Sequence, residues 1–359
     1  MEFFLHIGLH KTATKFFQHK IFKHIEPEKL CYNPPRLTQL IADLMKSDQE
    51  DIQLVQDSIK NEIIKLKSEN IKKVLISREI MSGNLFDFYK DFDITCSRLA
   101  ICFSERVKVI CFLRFQMDWI KSCYRETLHE HHYQTINQFL GLKKGNLKFV
   151  KANYTNLSWL NIVESLIKNF NNKCHFFYYE DFKEHQPKVL EQLKSIIGID
   201  ELYVNDNKNE TPNRGYSSFS INLSIFRYRI LRLFRLNFFI HRPITFFGNK
   251  SIPAGFEHLS VLDKDKYWGN YFLKDNQEKR SENYPHLSLI ENVKLKLSWR
   301  YIVKHGIDKL YYWDKALKVK DEYEMRSFFV KQNQNLKFLH ESLNKIPKKY
   351  ISNEINGAK

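Results

Sequence analysis

The stretch Phe3-Phe4-Leu5-His6-Ile7-Gly8-Leu9-His10-Lys11-Thr12-Ala13-Thr14-Lys15-Phe16-Phe17-Gln18 decides how this chain is read. It opens on a short apolar run of the kind a fully buried strand uses, and the run ends at Gly8. After Lys11 the apolar spacing changes, and Phe16, Phe17, Ile21, Phe22 and Ile25 fall on one face of a helix. The order is strand, tight loop, helix. The first backbone N–H groups of a helix have no internal partner, and with the positive end of the helix dipole they form an anion site. Lys11 adds a fixed charge there, and Thr12 and Thr14 add hydroxyls. The plain alternative is a turn with a solvated lysine and capping threonines. The loop is not a Walker A, because no second glycine precedes the lysine and no Lys-Ser/Thr pair follows a four-residue spacer.

Working outward, residues 25–73 carry mostly helical patterning. Strands are predicted at 72–77, ending at Arg78-Glu79, at 107–113, ending at Arg114, and at 175–179, ending at Glu180-Asp181. Helices are predicted at 117–131 and 189–197. Strands alternating with helices imply an α/β fold, a parallel sheet covered by helices, whose ligands sit beyond the carboxyl ends of the strands. Lys11, Glu79, Arg114 and Glu180 all fall at that edge. Beyond Gly198 the pattern is mainly helical, with no clear strand, and 323–343 reads as one helix. The expected organisation is a core at 1–210, a mainly helical part at 211–345 and a frayed basic tail at 346–359.

The 359 residues carry a formal net charge of +16, which suits a partner rich in phosphate, sulfate or carboxylate. With 43% hydrophobic residues the chain is expected to fold compactly. No segment has the form of a signal peptide or a membrane span, so a cytoplasmic protein is expected. The six cysteines lack Cys-x-x-Cys spacing and imply neither zinc nor disulfides. His129-Glu130-His131-His132 lacks His-Glu-x-x-His spacing, and no metal is expected.

The opening stretch resembles the 5′-phosphosulfate loop of sulfotransferases that use 3′-phosphoadenosine-5′-phosphosulfate (PAPS), in particular a bacterial carbohydrate and glycoconjugate branch with a His-Ile-Gly-Leu-His-Lys-Thr-Gly-Thr-Thr type of sequence. Ala13 replaces the usual glycine, a mild change if the helix has already begun there, and Lys15 replaces the last threonine. Val109 to Arg125 is similar to the family's 3′-phosphate element, with Arg114 and Ser122 at the matching arginine and serine and Phe115 in place of the usual Asp or Asn. Phe177-Tyr178-Tyr179-Glu180-Asp181 looks like the family's Tyr-Glu-Asp strand end, and 213–236 and 328–336 look like weaker C-terminal signatures.

The resemblance implies a P-loop-like fold with PAPS as donor and its desulfated form, PAP, as product. The donor would be held by His10, Lys11, Thr12, Ala13, Thr14, Lys15, Arg114, Ser122 and Arg214. It also implies a carbohydrate or glycolipid acceptor and no nucleic acid. Sulfuryl transfer needs a base for the acceptor and positive charge where the leaving phosphate develops its own. Lys11 suits the second role. Glu79 is the first choice of base, matching the family's Ser-Ser-Glu position, against an ion pair as the structural alternative, and His10 is the rival base. The competing functions are a nucleotide kinase, disfavoured by the missing Walker A, and a non-catalytic binder of acidic glycan or nucleic acid.

One further stretch has two readings. In 219–239, Phe219, Leu223, Phe226, Ile230, Leu233 and Phe234 share a helical face, with Arg227, Arg229, Arg232 and Arg235 over the other. Either the apolar face packs on the sheet domain, which is the favoured expectation, or the helix lies on an anionic membrane.

Overall fold

The computed structural model describes residues 1–47, 50–103, 107–129, 132–145, 150–204, 215–234, 245–247, 250–252, 299, 302–310 and 317–352. Five strands form one sheet: β1 (Glu2–Ile7), β2 (Cys31–Tyr32), β3 (Lys73–Arg78), β4 (Val107–Leu113) and β5 (Cys174–Tyr178), in the order β2-β3-β1-β4-β5. Every pairing is parallel. The two-residue strand β2 lies in a segment whose patterning is otherwise helical, too short to leave a period of its own.

β1, β3, β4 and β5 are almost wholly buried, as strands covered on both faces must be, and their composition is accordingly β-branched, aromatic and aliphatic. Register sets what meets at the carboxyl edge. Ile7 is level with Arg78 and Cys111, and Leu113 with Tyr178, so the chain leaves the sheet at Gly8, Glu79, Arg114 and Tyr179 along one rim.

Under β1 the core is aromatic. His6 is fully buried against the rings of Phe17, Phe22 and Phe112, with Nδ1 2.7 Å from Ser77 Oγ. Burial drives its pKa down to about 3, so the ring is neutral.

The chain divides into two compact units, one of whose boundaries falls between Thr211 and Pro212. The first holds Met1–Cys123, Ala152–Thr211 and Asp321–Lys359, so residues after 320 return to the sheet unit. The predicted 323–343 helix stops early, as helix Glu322–Asn333 followed by 3₁₀ turns at Leu336–Phe338 and Glu341–Leu343. The basic tail does not fray from residue 346: Lys348–Ile351 is helical and Tyr350 is fully buried, its ring 4.8 Å from that of Tyr178. An apolar side chain among lysines is enough to seat the segment. Residues 353–359 lie outside the described residues.

The second unit holds Tyr124–Lys151 and Pro212–Lys320. It contains helix Ser218–Leu233 and a short antiparallel hairpin, Thr245–Phe247 with Lys250–Ile252, in a region whose patterning shows no strand. Helix Ser218–Leu233 reverses the favoured expectation for its packing. Its buried residues are Ser218, Ser220, Ile221, Ser224, Ile225 and Tyr228, while Phe226, Ile230, Leu233 and Phe234 are exposed. The serines go inward because they have partners there: Ser220 Oγ donates to Asp308 Oδ1 at 2.6 Å, and Trp299 Nε1 donates to Ser224 Oγ at 2.8 Å.

Candidate active site

The loop between β1 and the following helical segment is built tightly. Thr12 Oγ1 donates to Leu9 O at 2.6 Å and Thr14 Oγ1 to the same oxygen at 3.1 Å, and both side chains are buried. A Cβ on Gly8 would run into the Thr14 side chain, so only glycine allows this closure. The threonine hydroxyls are therefore internal braces of the loop, turned from the surface they were expected to line. Lys11 and Ala13 both take the left-handed conformation, with φ of 65° and 66°. Such alternation turns successive N–H groups toward a common concavity that suits an anion.

Ala13 differs from expectation. It is the N-cap, not yet helical, and makes no side-chain cap bond. Left-handed φ costs an alanine about 1 kcal/mol more than a glycine. The helix is also less regular than its sequence period: Thr14–Phe16 continues as a π turn at Phe17–Ile21 and a 3₁₀ turn at Phe22–His24. Lys15 is exposed on its first turn.

The second motif meets the first through backbone. Arg114 Nη1 donates to Lys11 O at 2.8 Å, and its guanidinium lies over the Tyr179 ring, 4.8 Å from the centroid. Trp119 Nε1 donates to His10 O at 2.7 Å, and Trp159 Nε1 to Arg114 O at 2.6 Å. Two buried indoles thus hold the carbonyls on either side of the candidate site, and their rings stack edge-on at 5.8 Å. Ser122 is half-buried, one turn beyond Trp119 on helix Gln116–His129 and hence on the same side of it.

Glu79 opens a 3₁₀ turn, Glu79–Ser82, directly after β3 and beside Gly8. Ser82 Oγ donates to Glu79 O at 2.7 Å and lies 3.4 Å from His10 Nδ1. His10 is gripped by Tyr89: its N–H donates to the Tyr89 oxygen at 2.9 Å, and Nδ1 lies 3.3 Å from that oxygen. Burial keeps the Tyr89 phenol protonated far above its ordinary range. The structure thus gathers His10, Lys11, Thr12, Ala13, Thr14, Glu79 and Arg114 at one rim. Arg214, Glu130 and His131 lie outside the described residues. Among the described residues, no group of three His, Cys, Asp or Glu is placed to hold a metal ion.

Tyr89, which sequence reasoning did not assign, and Glu180, which it placed at the rim, complete the site's support. Tyr89 reaches it because Phe88 and Tyr89 both adopt positive φ, 53° and 60°, which no sequence period signals. Glu180 Oε1 accepts from Phe115 N–H at 3.1 Å and Oε2 from Tyr350 O–H at 2.7 Å. Burial raises the Glu180 carboxyl above the usual range, opposed by those two hydrogen bonds.

No protein-family model matches this sequence, and no curated protein matches it. Among solved structures, the chain is similar to a sulfotransferase from Alicyclobacillus acidocaldarius at 12% identity and a TM-score of 0.40, over 68% of this chain and 98% of that one. Among the described residues no helix is long and apolar enough to cross a membrane.

Proposed function

We propose that this protein is a PAPS-dependent sulfotransferase that moves the sulfonate group onto a hydroxyl, in preference to an amine, of a carbohydrate or glycoconjugate. The observation that carries the reading is the bond from Arg114 Nη1 to Lys11 O, which joins two motifs 103 residues apart in sequence. One resembles a 5′-phosphosulfate loop and the other a 3′-phosphate element, and a single donor with phosphates at both ends requires both. The donor set suits that ligand chemically, since Lys11 and Arg114 are hard, positive partners for oxyanions. The acceptor class rests on the resemblance alone.

In the proposed reaction the acceptor oxygen attacks sulfur as the bond from sulfur to the bridging phosphate oxygen breaks, and the electron pair of that bond leaves with PAP. Glu79 takes the acceptor proton. Lys11 offsets the charge growing on the leaving phosphate, and Arg114 with Ser122 holds the 3′-phosphate.

Calorimetry with PAP in EDTA tests the reading. Binding without Mg²⁺ is expected, weakened by about 2–3 kcal/mol in Arg114→Ala, the scale of a lost charge-assisted contact. Labelled PAPS incubated with cell glycan and lipid fractions then identifies the acceptor. A nucleotide kinase would instead need Mg²⁺ and ATP, and a non-catalytic binder would take up glycan without turnover. Failure to bind PAP overturns the proposal.

A further inference from the structure

Helix Ser218–Leu233 presents its most apolar residues to solvent. Phe226 is 60% exposed, Leu233 77%, Phe234 66% and Ile230 38%. Their spacing, i, i+4, i+7 and i+8, makes one stripe along the helix and onto its C-cap. The opposite face is already committed, through Ile221, Ile225, Tyr228 and serines bonded to Asp308 and Trp299. Rolling the helix to hide the stripe would strip those polar groups of their partners.

Arginine flanks the stripe. Arg229 is exposed one turn from both Phe226 and Leu233, and Arg232 is exposed a turn further round. The helix contains no Asp or Glu. A protein partner for such a face would need acidic side chains spaced to match, whereas an anionic bilayer answers both features at once. Apolar rings enter the acyl boundary, and guanidinium groups stay at the headgroups.

We infer that helix Ser218–Leu233 is a peripheral docking surface for an anionic lipid bilayer, with Phe226, Ile230, Leu233 and Phe234 entering the interface and Arg229 and Arg232 contacting headgroup phosphates. This does not depend on the proposed chemistry.

Co-sedimentation of the full chain with vesicles tests it. Vesicles of phosphatidylcholine with phosphatidylserine should bind the protein roughly ten-fold or more better than phosphatidylcholine alone, and salt should erase the difference. Arg229→Glu with Arg232→Glu should remove that preference. Phe226→Ser with Leu233→Ser should abolish binding while leaving the thermal melting temperature unchanged. Protein that stays in the supernatant at low salt overturns the inference, as do variants that bind as well as the wild type. A fall in melting temperature for the serine pair also overturns it, because the stripe is then covered by the chain itself. Loss of a dimer in those variants by sedimentation assigns the face to a second copy instead.

Discussion

Tyr350 O–H donates to Glu180 Oε2 at 2.7 Å, tying the C-terminal turn to the carboxylate whose other oxygen accepts Phe115 N–H. Phe115 is the residue after Arg114, so a side chain near the end of the chain fixes the exit of β4, where the proposed 3′-phosphate contact begins. The neighbouring bonds act in the same direction. Lys349 pairs with Asp118, and Asn333 with Gln116 at 2.7 Å, both on the first turn of helix Gln116–His129. Tyr350→Phe keeps the ring between Tyr178 and Phe115 and removes only the hydroxyl. We expect a stability loss of about 1–2 kcal/mol and a several-fold weaker PAP affinity, read by thermal melting and calorimetry. Unchanged affinity would show that the clasp serves stability alone.

Lys11 should act on the transition state. Lys11→Ala is expected to lower kcat roughly 10²-fold or more, as removal of a charge-stabilising donor does. An effect confined to KM would place the lysine in ground-state binding.

Glu79 and His10 make opposite predictions. Glu79→Gln should retain PAP affinity and melting temperature while nearly abolishing turnover, because the amide cannot take a proton. Tyr89→Phe should leave the base in place yet release His10, giving a smaller loss. If His10→Ala is the inactive variant and Glu79→Gln turns over, the roles are exchanged.

Ala13 occupies a left-handed position, so Ala13→Gly should raise stability by up to about 1 kcal/mol, the relief of the Cβ clash less the extra freedom of the unfolded glycine chain. Within a regular helix the same change would cost about that much. A lower melting temperature would therefore mean that the helix already includes residue 13.

His6 gives a pH dependence of known sign. Its folded pKa of about 3 lies below the ordinary 6.5. Between those values the unfolded chain takes up a proton that the folded chain does not, so stability falls as pH drops through that window and is recovered above it. The His6 ring resonances should not titrate between about pH 8 and pH 5 in NMR spectra, where an exposed histidine would shift. A midpoint near 6.5 would mean that the ring is hydrated.

The α/β class and the rim that carries the candidate site were legible in sequence because they rest on local patterns. Buried parallel strands are continuous apolar runs, and polar residues at the ends of such runs mark the carboxyl edge whatever the strand order. Lys11, Glu79 and Arg114 could be placed there on that basis. What tertiary structure decided concerns pairs distant in sequence or backbone angles without a residue signature. Thr12 and Thr14 read as ligands, but the loop's closure on Leu9 O takes their hydrogens. Tyr89, Trp119, Trp159 and Tyr350 reach the rim through contacts spanning from 45 to 170 residues, which no local period encodes. The amphipathicity of helix Ser218–Leu233 was plain from its residues. Which face turned inward was not, because the outcome depended on Asp308 and Trp299 offering partners to the serines, and a hydrogen-bonded polar face can be buried in place of an apolar one.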